Sequence, residues 1–399
     1  MPLAGFSDRR LGRDLDAVVL VEAGGQASRF TVADGAVVAA EPAGVMARYD
    51  IALRFTEEGW QKFRADPPPP RWGDLMALRR HGAVAIEGDT RLFFAYLPWF
   101  KAAFAKPSRP AGATHALQPG YDAVTGRYFN MELAGRPHRV FIEEAGQGIP
   151  LLLLHTAGSD ARQWRHLLND PEVTRRFRCI APDMPWHGKS SPPPGWEREE
   201  YRLTTAAYTG FAMALSAALG AERPVVMGCS IGGRIVLDLA ARHAAELRGV
   251  IGLQGSAFVH PYYDTTMLHH PQVHGGAVCA SAVSGLIAPT APDADRHETL
   301  WHYMQGGPGV FRGDLHFYKE EGDLRPLLAR IDTAKCPVHL LTGEHDYSCR
   351  PEDTLATAAA IPGAQARIME GLGHFPMSED YGALRPHLLP VLENFAARG

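Results

Sequence analysis

From about residue 120 onward the chain alternates short, continuously apolar runs with longer segments whose apolar positions recur at helical spacing. "RVFIEEAG" (139–146), "PLLLLHTAG" (150–158), "RCIAP" (178–182), "PVVMGCS" (224–230), "GVIGLQG" (249–255), "CPVHLLTGEHD" (336–346) and "ARIMEGLGH" (366–374) read as strands. Between them, "DARQWRHLLNDPEV", "LTTAAYTGFAMALSAALGA", "IGGRIVLDLAARHAAEL" and "EDTLATAAAI" read as helices, and "SEDYGALRPHLLPVLENFAA" as a terminal one. Strands that are apolar on both faces and alternate with helices imply a mostly parallel sheet covered on both sides. In such sheets, chemistry gathers in the loops beyond the carboxyl ends of the strands.

The first hundred residues follow a different rhythm. "RFTVADGAVVAAE" (29–41) has two short β-like runs about Asp34-Gly35, a hairpin signature. In "RYDIALRFTEEGWQKFRA" (48–65) a strand runs into a helix that Thr56 caps, with acids in its first turn. "LMALRRHGAVAIEGD" (75–89) is a helix leading into a strand, and the apolar "LFFAYLPWFKAAF" (92–104) follows. The order predicts a small α+β domain over 1–115. "DPPPPRW" (66–72) reads as a loop, and "KPSRPAGATHALQPG" (106–120) as an interdomain linker with a boundary near 115.

Composition narrows the class. Hydrophobic residues make up 46% and charged residues 21%, with a net charge of −4 and no long run of one sign, so neither nucleic acid nor an anionic membrane is the expected partner. The amino-terminal "MPLAGFSDRRLGRDLD" lacks the apolar core of a signal peptide, and no apolar run is long enough to span a bilayer. Five scattered cysteines without CxxC spacing argue against a zinc site or a disulfide framework, and a reducing cytoplasm is the expected home.

Four strand ends carry the chemistry. Ser230 stands between the strand "VVMGC" and a helix, with Gly228 two residues before it and Gly232 two after. A turn of this kind strains the serine backbone, aims its side chain away from the sheet and sets it against a helix amino terminus. Cys229 lies beside it, but the turn presents the following residue. A serine nucleophile needs a base, and the base needs an orienting acid. His374, in Gly-His-Phe-Pro after the last strand, is the expected base, and Asp346 the acid, with Glu344 as rival acid two residues earlier. A developing oxyanion needs two preorganised donors. The N–H of Ile231, just after the nucleophile, is one, and that of Ala157, just past the strand "LLLL", is the other.

On "HTAGSDARQW", "APDMPWHGKS", "GCSIGG", "LTGEHD" and "GLGHF", in that order, residues 120–399 resemble the α/β-hydrolase superfamily. The resemblance implies a Ser230, Asp346, His374 triad, an acyl-enzyme and no cofactor. It also makes Asp183 and Gly188 scaffold. The usual His-Gly pair is here His155-Thr156, which adds a hydroxyl near the oxyanion. A serine at 230 speaks against the dehalogenase and epoxide-hydrolase branches, which place an aspartate there. The long interval 259–330 matches the cap of that superfamily, dividing the core into 120–258 and 331–399. The interval holds Tyr262, Tyr263, Trp301, Tyr303, Phe311, Phe317 and seven histidines. Cap aromatics around an apolar pocket are expected. A metal at His270 and His274 is not, because Pro271 and Gly275 break the helix that would pair them.

Residues 16–105 resemble the sterol carrier protein type 2 fold through the strand entering "FTEEGWQKF", then "HGAVAIEGD" and a final apolar helix. That resemblance implies a tunnel for acyl chains or sterols that Trp60, Phe63, Phe93, Phe94, Tyr96, Trp99 and Phe100 could line. The same aromatics would serve as plain core, or pair two copies of the chain as a homodimer. Together these readings predict a serine hydrolase cleaving an ester, lactone or thioester of a hydrophobic small molecule. The alternatives are carbon–carbon bond hydrolysis of the meta-cleavage-product type by the same triad, and a lipid carrier with a non-catalytic hydrolase domain.

Overall fold

The computed structural model describes residues 3–105, 119–260 and 265–398, apart from the side chain of His269. The expected linker therefore lies mostly outside the described residues, as do Tyr262 and Tyr263. The chain divides into two compact units, one of residues 3–105 with 265–286, the other of residues 119–260 with 287–398.

The small unit is built on five strands, β1 (Ala17–Ala23), β2 (Gln26–Ala33), β3 (Ala36–Pro42), β4 (Ile51–Phe55) and β5 (Val84–Gly88). They are ordered β3-β2-β1-β4-β5, with β1 and β4 parallel and the remaining neighbours antiparallel. Reading the sequence for strands passes over β1, which is the central one; its Gly24-Gly25 turn, at φ 59° and 70°, makes the hairpin with β2. Thr56 caps the helix Glu57–Arg64 by accepting the Gly59 N–H. The expected aromatics pack on one another. Phe93 lies 4.9 Å from Phe100 and Trp99 5.2 Å from Phe100, centroid to centroid, and Trp99 Nε1 donates to Gly35 O at 2.8 Å.

Part of the interval expected as one cap joins this unit. The helix Gly275–Ser284 buries Val278, Cys279 and Val283 and packs against the helix Leu97–Phe104. Lys101 ties them together, its Nζ 2.9 Å from Ser284 Oγ and 2.8 Å from Asp74 Oδ2. His270 and His274 serve the local backbone: their Nδ1 atoms accept the N–H groups of Gln272 and Ala277, the latter bond capping the helix.

The large unit holds eight strands, β6 (Thr125–Leu133), β7 (Arg136–Ala145), β8 (Ile149–Leu154), β9 (Phe177–Pro182), β10 (Val225–Cys229), β11 (Gly249–Leu253), β12 (Val338–Gly343) and β13 (Gln365–Met369). Their order is β13-β12-β11-β10-β8-β9-β7-β6. Every pairing is parallel except β6 with β7 and β7 with β9, so the expected mostly parallel sheet is present with an antiparallel edge. β6 is the strand the hydrophobic pattern misses, because it is an edge strand with mostly exposed residues. The apolar strands β8, β10 and β11 sit in the middle, buried along nearly their whole lengths. Among the described residues no helix is long and apolar enough to cross a membrane, and all five cysteines are free and buried.

Three glycines fix the centre of this sheet. A Cβ on Gly228 would stand 2.5 Å from Gly232 C, one on Gly232 2.7 Å from Leu154 O, and one on Gly233 2.2 Å from Leu253 O. Backbone therefore meets backbone where the helix Ile231–Arg242 crosses β8, β10 and β11. Gly233→Ala is expected to destabilise the protein by about 3 kcal/mol or more, because no side chain is there to move aside. Gly210→Ala, on an exposed helix face with nothing within 4 Å, is expected to stabilise it by roughly 0.5–1 kcal/mol. Thermal unfolding followed by circular dichroism compares the two, and equal tolerance of both changes would rule out the close contact.

Candidate active site

Ser230 sits at φ 60° and ψ −114°, a backbone region that L-residues other than glycine rarely occupy. Two bonds hold it there: its N–H donates to Leu253 O at 3.0 Å, and its carbonyl accepts Arg234 N–H at 2.9 Å. The strained turn thus closes one strand and opens one helix within a single residue. Ser230 is buried, and its Oγ lies 3.1 Å from the hydroxyl of Tyr318. The neighbouring Cys229 thiol donates to His374 O at 3.2 Å, and burial raises it well above its ordinary value. It braces the histidine loop.

The structure brings His374 and Asp346 together. His374 Nδ1 lies 2.7 Å from Asp346 Oδ2, and both residues are buried. The other carboxylate oxygen, Oδ1, accepts the N–H groups of Ser348 at 2.7 Å and Cys349 at 3.1 Å. A carboxylate with every oxygen engaged cannot swing away from the imidazole, so Nδ1 carries the proton and Nε2 is left as the basic nitrogen. Glu344, the rival acid, instead accepts the Gly371 N–H at 3.1 Å in the loop between strands.

Two further buried side chains shape the histidine loop, and sequence reasoning passes over both. Gln254, at φ 52°, donates through Nε2 to Gly373 O at 2.8 Å and accepts Gly343 N–H at 2.9 Å, clipping the ends of β11 and β12 to that loop. Glu379 accepts the N–H groups of Gly373 and Phe375, the residues on either side of His374. Burial pushes the Glu379 carboxyl up to about 8, against the pull of those backbone donors. The sequence gives no local cue for either residue, since each acts on a loop far along the chain or on backbone alone.

At the end of β8 three successive N–H groups have different fates. Thr156 N–H donates to Gln163 Oε1 at 3.1 Å, and Gly158 N–H to Asp314 Oδ2 at 2.7 Å. Among the described residues, the Ala157 N–H between them has no such acceptor. The Thr156 hydroxyl is also accounted for. It donates to Gln163 Oε1 at 3.0 Å and receives the Tyr303 hydroxyl at 2.6 Å. The second group expected as a donor, Ile231 N–H, opens the helix that follows Ser230, where no residue of a preceding turn can accept it.

Of the aromatics expected in the cap, Tyr303 and Phe311 reach this corner: Tyr303 touches Thr156, and Phe311 fills the space over Gly158. Trp301 is 55% exposed. Asp314, which sequence reasoning does not select, is fully buried and joins three elements. Its carboxylate accepts Gly158 N–H, His187 Nε2–H at 2.8 Å and the Tyr201 hydroxyl at 2.7 Å. Burial pulls the His187 imidazole down, but the charge and hydrogen bond of Asp314 outweigh it and hold the group above its ordinary value. His155, beside it, is driven down to about 4 by burial and by the His187 charge. Its Nε2 accordingly accepts Met184 N–H at 3.1 Å, and its Nδ1 donates to Thr156 O at 2.9 Å. Asp183 accepts the N–H groups of Ala161 and Lys189, with Gly188 too close to its carboxylate for any Cβ, a scaffold arrangement.

A cluster able to ligate a metal, His166 with Asp295 and Glu298, occurs among the described residues, and Arg165 already pairs with Glu298 there.

Residues 149–271 match the family model described as the alpha/beta hydrolase fold. An uncharacterized protein of Mycobacterium tuberculosis (strain H37Rv) is 26% identical over 260 residues, covering 59% of this chain and 73% of that protein. The 2-hydroxymuconate semialdehyde hydrolase of Pseudomonas sp. (strain CF600) is 33% identical over 122 residues, or 30% of this chain and 41% of the hydrolase. Among solved structures, a thermophilic esterase from Thermogutta terrifontis superposes with a TM-score of 0.58 at 21% identity, over 68% of this chain and all of the esterase. The chain has the α/β-hydrolase fold and is an enzyme.

The buried histidines make stability depend on pH. His302, like His155, is driven down to about 4 by burial, and its Nδ1 has no partner. Between their ordinary value of 6.5 and about 4, the unfolded chain binds protons that the folded chain refuses. Their contribution is therefore complete above the ordinary value and declines as pH falls through this window, by about 1.4 kcal/mol per pH unit for each group. His187 runs the other way: its contribution is present at low pH and is lost as pH rises through its raised value. His302→Leu is expected to make the acid-side fall in thermal midpoint shallower by about one proton's worth. An unchanged slope would show that His302 is not held neutral.

Proposed function

We propose that this α/β-hydrolase-fold enzyme is a serine hydrolase that cleaves an ester, lactone or thioester of a hydrophobic small molecule. The observation that carries the reading is the His374–Asp346 pair at 2.7 Å, on a histidine loop that Cys229, the residue before the strained Ser230, bonds to at 3.2 Å. His374 Nε2 takes the proton of the Ser230 hydroxyl as Oγ attacks the carbonyl carbon. The resulting oxyanion is received by the N–H groups of Ile231 and Ala157. His374 then returns the proton to the leaving oxygen or sulfur, and an acyl-enzyme remains on Ser230. Water, deprotonated by the same imidazole, attacks the acyl carbon and regenerates the serine. Asp346 keeps the imidazole in one tautomer and stabilises its cation, remaining ionised throughout.

The similarity to a 2-hydroxymuconate semialdehyde hydrolase favours, as a second reading, carbon–carbon bond hydrolysis by the same residues. The small unit is proposed as a sterol-carrier-like module for hydrophobic ligands, supported by its packed aromatics, with ring centroids of Phe55 5.0 Å from Trp60 and 5.6 Å from Phe104, and of Phe93 4.9 Å from Phe100. Five free, buried thiols support a cytoplasmic home.

Turnover of p-nitrophenyl esters and labelling by a fluorophosphonate test the nucleophile together. Wild type is expected to do both. Ser230→Ala should lose the label and reduce kcat by roughly 10³-fold or more. A Ser230→Ala protein that labels and turns over like wild type would disprove the assignment. A panel of esters, lactones and vinylogous diketones then assigns the bond class.

A further inference from the structure

The hydroxyl 3.1 Å from the nucleophile belongs to neither the acid–base pair nor the backbone donors. It comes from Tyr318, on the single π-helical turn Phe317–Glu321 that follows the helix Val310–His316. Turns of this type are uncommon and concentrate at functional sites. Tyr318 is buried, and the guanidinium of Arg234 lies against its ring with Cζ 3.9 Å from the centroid. Arg234 is itself fully buried, one turn along the helix from Ser230. Its Nε donates to Ser256 O at 3.2 Å and its Nη1 to Gly322 O at 3.0 Å, the latter just past the end of the π turn. The side chain that stacks beneath the tyrosine therefore also fixes the backbone that carries it.

We infer that Tyr318 is a catalytic residue: a third hydrogen-bond donor to the reacting centre, beside the N–H groups of Ile231 and Ala157. The inference rests on Ser230 being the nucleophile. In the free enzyme the Tyr318 hydroxyl pairs with Oγ. Once Oγ is bonded to the attacked carbon, the other oxygens on that carbon stand one bond angle away, within reach of the same hydroxyl. The phenol then donates to one of them and keeps its proton, so no extra proton transfer is needed. A cation at the face of the ring strengthens the O–H as a donor, because it stabilises the electron density that a polarised phenol places on the ring. Burial makes that donation matter more than it would in water.

Tyr318→Phe removes the hydroxyl and keeps the ring on Arg234. With p-nitrophenyl butyrate the variant is expected to lose roughly 10- to 100-fold in kcat/KM, mostly in kcat. Fluorophosphonate should still label Ser230 in it, and thermal unfolding should match wild type. A Tyr318→Phe enzyme within threefold of wild type, or faster, overturns the inference. A second readout does not depend on how that variant folds. Trifluorotyrosine at position 318 keeps the shape but ionises at lower pH, and the alkaline limb of kcat/KM should move down with it. An unmoved limb overturns the donor role. If wild type fails to label, or Ser230→Ala retains activity, the nucleophile itself is misassigned and the inference falls with it; full labelling of wild type beside an active Tyr318→Phe isolates the failure to Tyr318.

Discussion

The large unit is organised around a contact between backbones. Where the helix Ile231–Arg242 leaves β10, the chain at Gly228, Gly232 and Gly233 approaches its neighbours more closely than any side chain would permit. That approach lets the helix start directly at the strand end, and it forces Ser230 into its strained φ and ψ. Strain of this kind persists only when the surroundings leave no alternative. Here the Leu253 carbonyl, the Arg234 N–H and the packed sheet all hold the turn. Ser230 thereby stands at the amino terminus of the helix, next to the Ile231 N–H.

Around this fixed point the loops are located by buried polar side chains. Asp346 engages both of its carboxylate oxygens, one on two backbone N–H groups and the other on the imidazole. Gln254 bridges two strand ends to the histidine loop, Glu379 grips that loop on both sides of His374, and Asp314 fastens the end of β8 to the helix Val310–His316. A buried polar group without its partner carries a penalty of about 1–3 kcal/mol, so each of these bonds holds its loop against small displacements. The geometry of the site is therefore set by acceptors that never meet a substrate.

The contrast between legible and illegible residues follows from this. Strands apolar on both faces, such as "LLLL" and "VVMGC", announce a buried parallel sheet, and the glycines about Ser230 announce a tight strand-to-helix turn. Asp346 and His374 are readable because each ends a recognisable strand. Tyr318 and Asp314 sit in a segment with no strand period and no motif, and their meaning comes only from tertiary contact. The edge strand β6 fails for a different reason, since its mostly exposed residues dilute the apolar pattern, whereas β1 is apolar and buried and carries that pattern in full. The interval 259–330 reads as one insertion because a composition rich in aromatics and histidines carries no mark of which unit it packs into. In the structure its first part completes the small unit, while Tyr303, Phe311 and Asp314 serve the large one.

The helix Gly275–Ser284 has a consequence for how the protein is made. It covers apolar surface on the helix Leu97–Phe104 and is tied down through Lys101, yet it is translated only after most of the large unit's strands. On the ribosome the small unit thus waits, with the helix Leu97–Phe104 still lacking this partner, while β6 to β11 emerge. Contacts so distant in sequence form late, and exposed apolar surface in the interval invites association with other chains. The two units, although compact, are interleaved in the gene, and no single cut in the chain releases either of them whole.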